Sequence, residues 1–253
     1  MNKILLSLLL LIIIIVAVIY GPKAVRLYNL ANLYDEDSIA SNFINIDKIF
    51  TVSEPIPAAE RPYMFNKKAY ELPETYFFEG EEKNLQEALD HFKTDGLIVL
   101  HNGNMLYENY WNGNSVSSKH IAFSVSKSFL SALIGIAVGD GLIDSIEDPV
   151  TKYIPDFNGT GYEGVRIKDI LQMSSGVKFN EDYADPKSDI NIFGRAVARG
   201  SSFRDFSKTL EREKTPGTYH HYVSIDTQVL GFLLAEVTGV SVQDYLYEKI
   251  WNK

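Results

Sequence analysis

Ser124 and Lys127 lie three residues apart at the head of an apolar stretch, and their chemistry sets the first question. On a helix that spacing puts a hydroxyl and an ammonium on the same face of the first turn. A serine hydroxyl is a weak nucleophile until a neighbouring base takes its proton, and an unprotonated lysine can be that base. Burial and the positive end of a helix dipole both disfavour a charged ammonium, so the setting pushes Lys127 toward its neutral form. The same dipole favours negative charge forming near Ser124. Ser175-Gly176-Val177-Lys178 repeats the Ser-x-x-Lys pattern, but it carries a glycine and no apolar run follows. The competing structural reading of Ser124 is a helix-capping serine with a snorkelling lysine.

The element that must carry the pair is a helix from Ser124 to about Gly141. Phe129, Leu130, Ala132, Leu133, Ile134, Ile136, Ala137 and Val138 leave it almost no polar face, which predicts a helix buried all round. Upstream, Leu85, Ala88, Leu89 and Phe92 follow helical spacing over 84–93. Gly96–His101 and Met105–Trp111 read as strands joined by an Asn102-Gly103 turn. Downstream, Val165–Met173 reads as a short helix, 188–212 as helical in part, and Thr227–Val237 as an apolar helix after a Pro216-Gly217 turn. A last helix from Val242 to about Trp251 is capped by Ser241, with Asp244 in the reciprocal position. Helix, hairpin, then a long helical stretch argues for an α+β class rather than alternating βαβ units.

Composition narrows the function. There are 33 acidic and 24 basic residues, the net charge is −9, and no basic run is interleaved with aromatics, so nucleic acid is not an expected partner. The absence of cysteine excludes disulfides, thiolate nucleophiles and cysteine-based zinc sites. His220-His221 is the only histidine cluster, and adjacent residues share no helix face, so neither a metal nor a cofactor is expected. Ile4–Tyr20 is apolar apart from Ser7 and Tyr20, and as a helix it would reach about 26 Å, close to hydrocarbon thickness. Tyr20-Gly21-Pro22-Lys23 is a poor cleavage site, so a membrane anchor over 1–22 is favoured over a cleaved signal. Residues 23–80, broken by Pro55, Pro57, Pro62 and Pro73, read as a tether and arm. The domain proper is expected over 81–253, on the extracytoplasmic (periplasmic or cell-surface) side.

Several motifs in order resemble a known superfamily. Phe123-Ser124-Val125-Ser126-Lys127-Ser128, Gly139-Asp140-Gly141-Leu142-Ile143, Asp148-Pro149-Val150, Tyr153-Ile154-Pro155, Ile170 to Gly176 and Tyr222-Val223-Ser224 are similar to those of the serine β-lactamases and penicillin-binding proteins. The similarity is nearest the class C-like branch with esterases and 6-aminohexanoate-dimer hydrolases, which Val177–Tyr183 resembles. The resemblance implies a β-lactamase/transpeptidase-like fold, a helical subdomain plus an antiparallel sheet. It implies Ser124 as the acylated nucleophile, Lys127 as its base, Tyr222 as a second proton-transfer residue and Ser224 as a substrate-binding residue. An amide or ester substrate follows.

Two departures matter. Ser224 stands where β-lactamases commonly have Asn, which bears on antibiotic turnover. The superfamily's third motif lies on a strand well after the Tyr motif, and Lys253 is reached before any such strand. The sheet therefore reads as incomplete, and the 253 residues are expected to be only part of the working enzyme, slow by themselves. A catalytically silent cell-envelope binding protein is the alternative from another class. A Ser-His-Asp hydrolase using His220 or His221 lacks the Gly-x-Ser-x-Gly elbow.

Overall fold

A computed structural model describes residues 3–49 and 55–253. Met1 and Asn2 of the leader and residues 50–54 of the arm lie outside the described residues. Helix α1 spans Lys3–Ala31, with side chains exposed from Leu10 to Tyr20, and Leu10–Ala31 is long and apolar enough to cross a membrane. It runs past the anchor boundary expected at residue 22. Pro22 withholds one amide hydrogen bond, but the Ala, Lys, Arg and Leu residues that follow are good helix formers.

The remaining elements follow in chain order. After α1 come α2 (Ile39–Ile44), α3 (Ile46–Ile49), β1 (Asn66–Lys67), β2 (Thr75–Phe78) and β3 (Glu81–Asn84). Then come α4 (Leu85–His91), β4 (Gly96–His101), β5 (Asn104–Tyr110) and α5 (Val125–Gly139). The later helices are α6 (Ile167–Leu171), α7 (Asp189–Ala198), α8 (Phe203–Lys208), α9 (Ser224–Thr238) and α10 (Val242–Leu246). The described residues form two compact units. One contains those up to Leu27, Pro55–Arg61 and Ala122–Lys253; the other contains Tyr28 to residue 49 and Pro62–Ile121.

In the second unit β4 and β5 are the expected hairpin. Asn102 (φ 47°) and Gly103 (φ 73°) both take the left-handed conformation that a tight two-residue turn requires. Where only a two-stranded hairpin was expected, β1 lies parallel to β5, and the Lys68 and Tyr70 amides extend the pairing to Met105 and Leu106. A two-residue strand is too short to show alternation. A second hairpin, β2–β3, turns through Glu79 (φ 53°) and Gly80 (φ 82°). The sequence reading missed it because its side chains are nearly all exposed, leaving no in–out pattern.

The first unit holds the larger apolar core, built from Leu133, Ile134, Phe157, Tyr162, Ile167, Ile170, Leu233 and Leu234, all fully buried. Helix α5 begins and ends where its sequence indicates, with Asp140 closing it and Gly141 at φ 74°. The expectation that α5 is buried all round needs correction. Leu133, Ile134 and Ala137 are covered, while Val125, Phe129, Ala132 and Gly135 are exposed. Helices α9 and α10 pack against one side of α5. An apolar composition states what a helix needs covered, not how much the described residues cover.

Candidate active site

The start of α5 follows a strained residue. Phe123 sits at φ 42°, a conformation that costs a bulky side chain on the order of 1–3 kcal/mol. It presents its carbonyl to the Ser126 hydroxyl at 2.6 Å and to the Ser126 amide at 3.1 Å. Ser124 occupies the N-cap position, yet its side chain makes no capping hydrogen bond. Its Oγ instead accepts from Lys127 Nζ at 2.9 Å and from the Tyr222 hydroxyl at 2.8 Å. The structural reading of Ser124 as a cap is therefore not what its hydroxyl does. Lys127 Nζ also lies 5.4 Å from the Tyr222 ring centre. The setting is more open than a buried helix start would be: Ser124 and Tyr222 are exposed and Lys127 is half-buried.

Tyr222 reaches Ser124 from 98 positions downstream, immediately before α9. Its backbone is set by the loop after α6. Met173, at φ 53°, accepts from the His221 amide at 2.8 Å, and the Ser174 carbonyl accepts from Gly217 at 2.8 Å. Gly176 (φ 76°) lets the two segments touch, its carbonyl accepting from the Glu213 and Lys214 amides. A Cβ there would sit 2.2 Å from the Lys214 carbonyl oxygen.

Ser224 is the first residue of α9 and half-buried. Its amide donates to Glu181 Oε2 at 2.8 Å, and its hydroxyl donates to Glu181 Oε1. The Ser224 hydroxyl proton is thus directed at Glu181, leaving its lone pairs as the groups open to a ligand. Two residues on, Asp226 is fully buried. Its Oδ1 accepts from the Tyr162 hydroxyl at 2.9 Å, while Oδ2 has no hydrogen-bond partner of normal geometry. Burial pushes its carboxyl up to about 7, outweighing the opposing pull of Ser175 and Tyr162. Burial, then Asp226 itself, pushes the Tyr162 phenol well above its usual value.

The structure thus brings Ser124, Lys127 and Tyr222 into contact, with Ser224 one step behind on α9. His221 donates or accepts through Nε2 at the Phe179 carbonyl, 2.9 Å away. Among the described residues no group of acidic or histidine side chains is arranged to hold a metal ion. The sequence alone assigns no role to Glu181 or Asp226. Asp226 could have been found by the reasoning that found Lys127, since it is a charged residue in the first turn of an apolar helix. Glu181 gives no such signal, because its contact with Ser224 crosses 43 positions.

The chain is similar to known proteins in sequence and in fold. The sequence profile of the family described as Beta-lactamase matches residues 82–253. The chain is 30% identical over 177 residues to the 6-aminohexanoate-dimer hydrolase of Paenarthrobacter ureafaciens, covering 67% of this chain and 45% of that protein. It is 30% identical over 122 residues to a Salmonella agona protein named as a candidate D-alanyl-D-alanine carboxypeptidase, covering 46% of this chain and 27% of that one. In three dimensions it is similar to a Bacillus anthracis protein named as a candidate 6-aminohexanoate-dimer hydrolase. There the TM-score is 0.78 with 23% identity, over 88% of this chain and 61% of the other, a likeness of fold. The chain spans less than half the length of the two curated relatives.

Proposed function

The chain belongs to the Beta-lactamase family, and from that premise we propose that it is a serine hydrolase cleaving amide or ester bonds through an acyl-enzyme on Ser124. The observation that carries the reading is the Ser124 hydroxyl held between Lys127 Nζ and the Tyr222 hydroxyl at 2.9 and 2.8 Å, when a helix would otherwise use it as a cap. Ser124 Oγ forms the bond to the carbonyl carbon as its proton passes to the deprotonated form of Lys127 or Tyr222. Collapse breaks the bond to the leaving nitrogen or oxygen, which takes that proton. Water then gives a proton to the same group and attacks the acyl carbon, and Ser124 departs with its proton restored. The positive end of α5 favours the negative charge that develops. Ser224 would receive a substrate donor on its free lone pairs.

The name of the Paenarthrobacter relative gives the 6-aminohexanoate dimer as that protein's substrate. An amide or ester of comparable size is the proposed class here. Residues 4–20 of α1 would anchor the chain, 23–80 would tether it, and 81–253 would work on the extracytoplasmic side.

One fractionation tests activity and anchoring together. Carbonate-washed membranes from cells making the full chain are expected to hydrolyse p-nitrophenyl butyrate or a p-nitroanilide, and Ser124→Ala membranes are not. Activity in a soluble species beginning near residues 21–25 would contradict the anchor. No Ser124-dependent turnover in either fraction, together with no labelling of Ser124 by a fluorophosphonate on prolonged incubation, would contradict the hydrolase and favour a silent binding protein.

A further inference from the structure

Resting on the hydrolase reading, we propose that Glu181 is a positioning residue, which holds the Tyr222 hydroxyl on Ser124 by clamping the head of α9. Tyr222 is 41% exposed, so packing alone does not fix its ring. Its hydroxyl must nevertheless stay within hydrogen-bond range of one oxygen, and displacing a catalytic group by about 1 Å can cost on the order of a hundredfold in rate. The aim of the ring therefore has to come from the backbone on either side of it.

That backbone is fastened at two points. Before Tyr222, the His221 amide is held by the Met173 carbonyl, and the His221 ring by the Phe179 carbonyl. After Tyr222, α9 begins with Val223 at its N-cap, a residue with no side-chain oxygen to cap the first amides. Glu181 supplies the missing cap from elsewhere in the chain. One carboxylate oxygen takes the Ser224 amide proton and the other takes the Ser224 hydroxyl proton. A carboxylate at this end of a helix is also favoured by the helix dipole.

The clamp has its own support. The Asn180 amide donates to Asp189 Oδ2 at 2.7 Å, the Ile190 amide donates to the Asn180 carbonyl at 3.1 Å, and the Asp182 amide donates to Asn180 Oδ1 at 3.0 Å. The loop carrying Glu181 is thus tied to the start of α7, and the Tyr183 hydroxyl adds a contact to Glu181 Oε1 at 3.2 Å. Phe179 and Glu181 grip the chain on opposite sides of Tyr222, one at residue 221 and the other at residue 224. Both carboxylate oxygens of Glu181 are turned to Ser224, which argues for holding α9 rather than for contact with substrate.

The test uses the full chain in detergent, with p-nitrophenyl acetate as the turnover probe and amide hydrogen exchange over residues 222–228 as the structural one. Glu181→Ala is expected to lower kcat at least tenfold, with KM within about twofold, and to speed exchange at the head of α9. Glu181→Gln, whose amide oxygen can still accept from the Ser224 amide and whose NH₂ can donate to the Ser224 hydroxyl, should recover most of both. Should Glu181→Ala fail to fold, Glu181→Asp carries the test: it keeps the charge but draws back by one methylene, so kcat should fall while KM holds. A raised KM with unchanged kcat would make Glu181 a substrate contact and overturn the proposal, as would kcat and exchange both unchanged. If the parent chain neither turns over the ester nor labels at Ser124, the hydrolase reading fails. Exchange then decides the clamp alone: faster exchange in Glu181→Ala supports it and unchanged exchange overturns it.

Discussion

Replacing Lys127 by alanine is expected to slow acylation of Ser124 by a fluorophosphonate about a thousandfold while leaving the fold intact. Positioned proton transfer contributes about 10²–10⁴-fold, and a thousandfold corresponds to about 4 kcal/mol of barrier. The side chain has two contacts to lose. Its nitrogen lies 2.9 Å from Ser124 Oγ and 5.4 Å from the Tyr222 ring centre. Lys127 is half-buried with its nitrogen at an open site, so alanine leaves little cavity behind and the melting temperature should move only slightly. Labelling by the Lys127→Ala chain at the parent rate would remove Lys127 from the mechanism and return it to the snorkelling role.

The second large effect is on stability. Asp226 has a folded-state value of about 7 against 3.8 ordinarily, with burial as the leading cause. Below about pH 4 the carboxyl is protonated in both the folded and unfolded states and contributes no pH dependence. Between there and about pH 7 the unfolded chain loses the proton while the folded chain keeps it, so stability falls as pH rises. Above about 7 both are ionised and the loss is complete, about 4 kcal/mol in all to order of magnitude. Carboxylates held low by partners act in the opposite sense but further down. Asp156, beside Arg204 and Lys208, is drawn to about 2 and gains its stabilisation below the Asp226 window.

Asp226→Asn keeps an oxygen for the Tyr162 hydroxyl and cannot ionise. The variant should therefore be the more stable chain at pH 8, with a flatter dependence between pH 4.5 and 8. Denaturant midpoints across that range for both chains decide it. Equal slopes would show that Asp226 is not the group responsible.

The residues around Ser124 also mark what can be read from the sequence. Ser124 and Lys127 were legible because helical spacing and an apolar run are local, and so were the Asn102-Gly103 turn and the Ser241 cap, whose hydroxyl accepts from the Asp244 amide at 3.0 Å. Tyr222 was reached only through resemblance, since no local pattern ties it to a serine 98 positions away. Glu181 stayed hidden for the same reason. The exposed side of α5 shows another limit, since Phe129 and Ala132 announce a wish for burial but do not say whether anything covers them. The β2–β3 hairpin fell below detection because four-residue strands facing solvent carry no alternation.

The central claim is that Ser124 is the residue that becomes acylated. Its most direct measurement is reaction of the purified full chain with a fluorophosphonate, followed by mass-spectrometric mapping of the modified peptide. The account predicts a single adduct on Ser124, absent from Ser124→Ala. An adduct on another serine, or labelling that persists unchanged in Ser124→Ala, would contradict it.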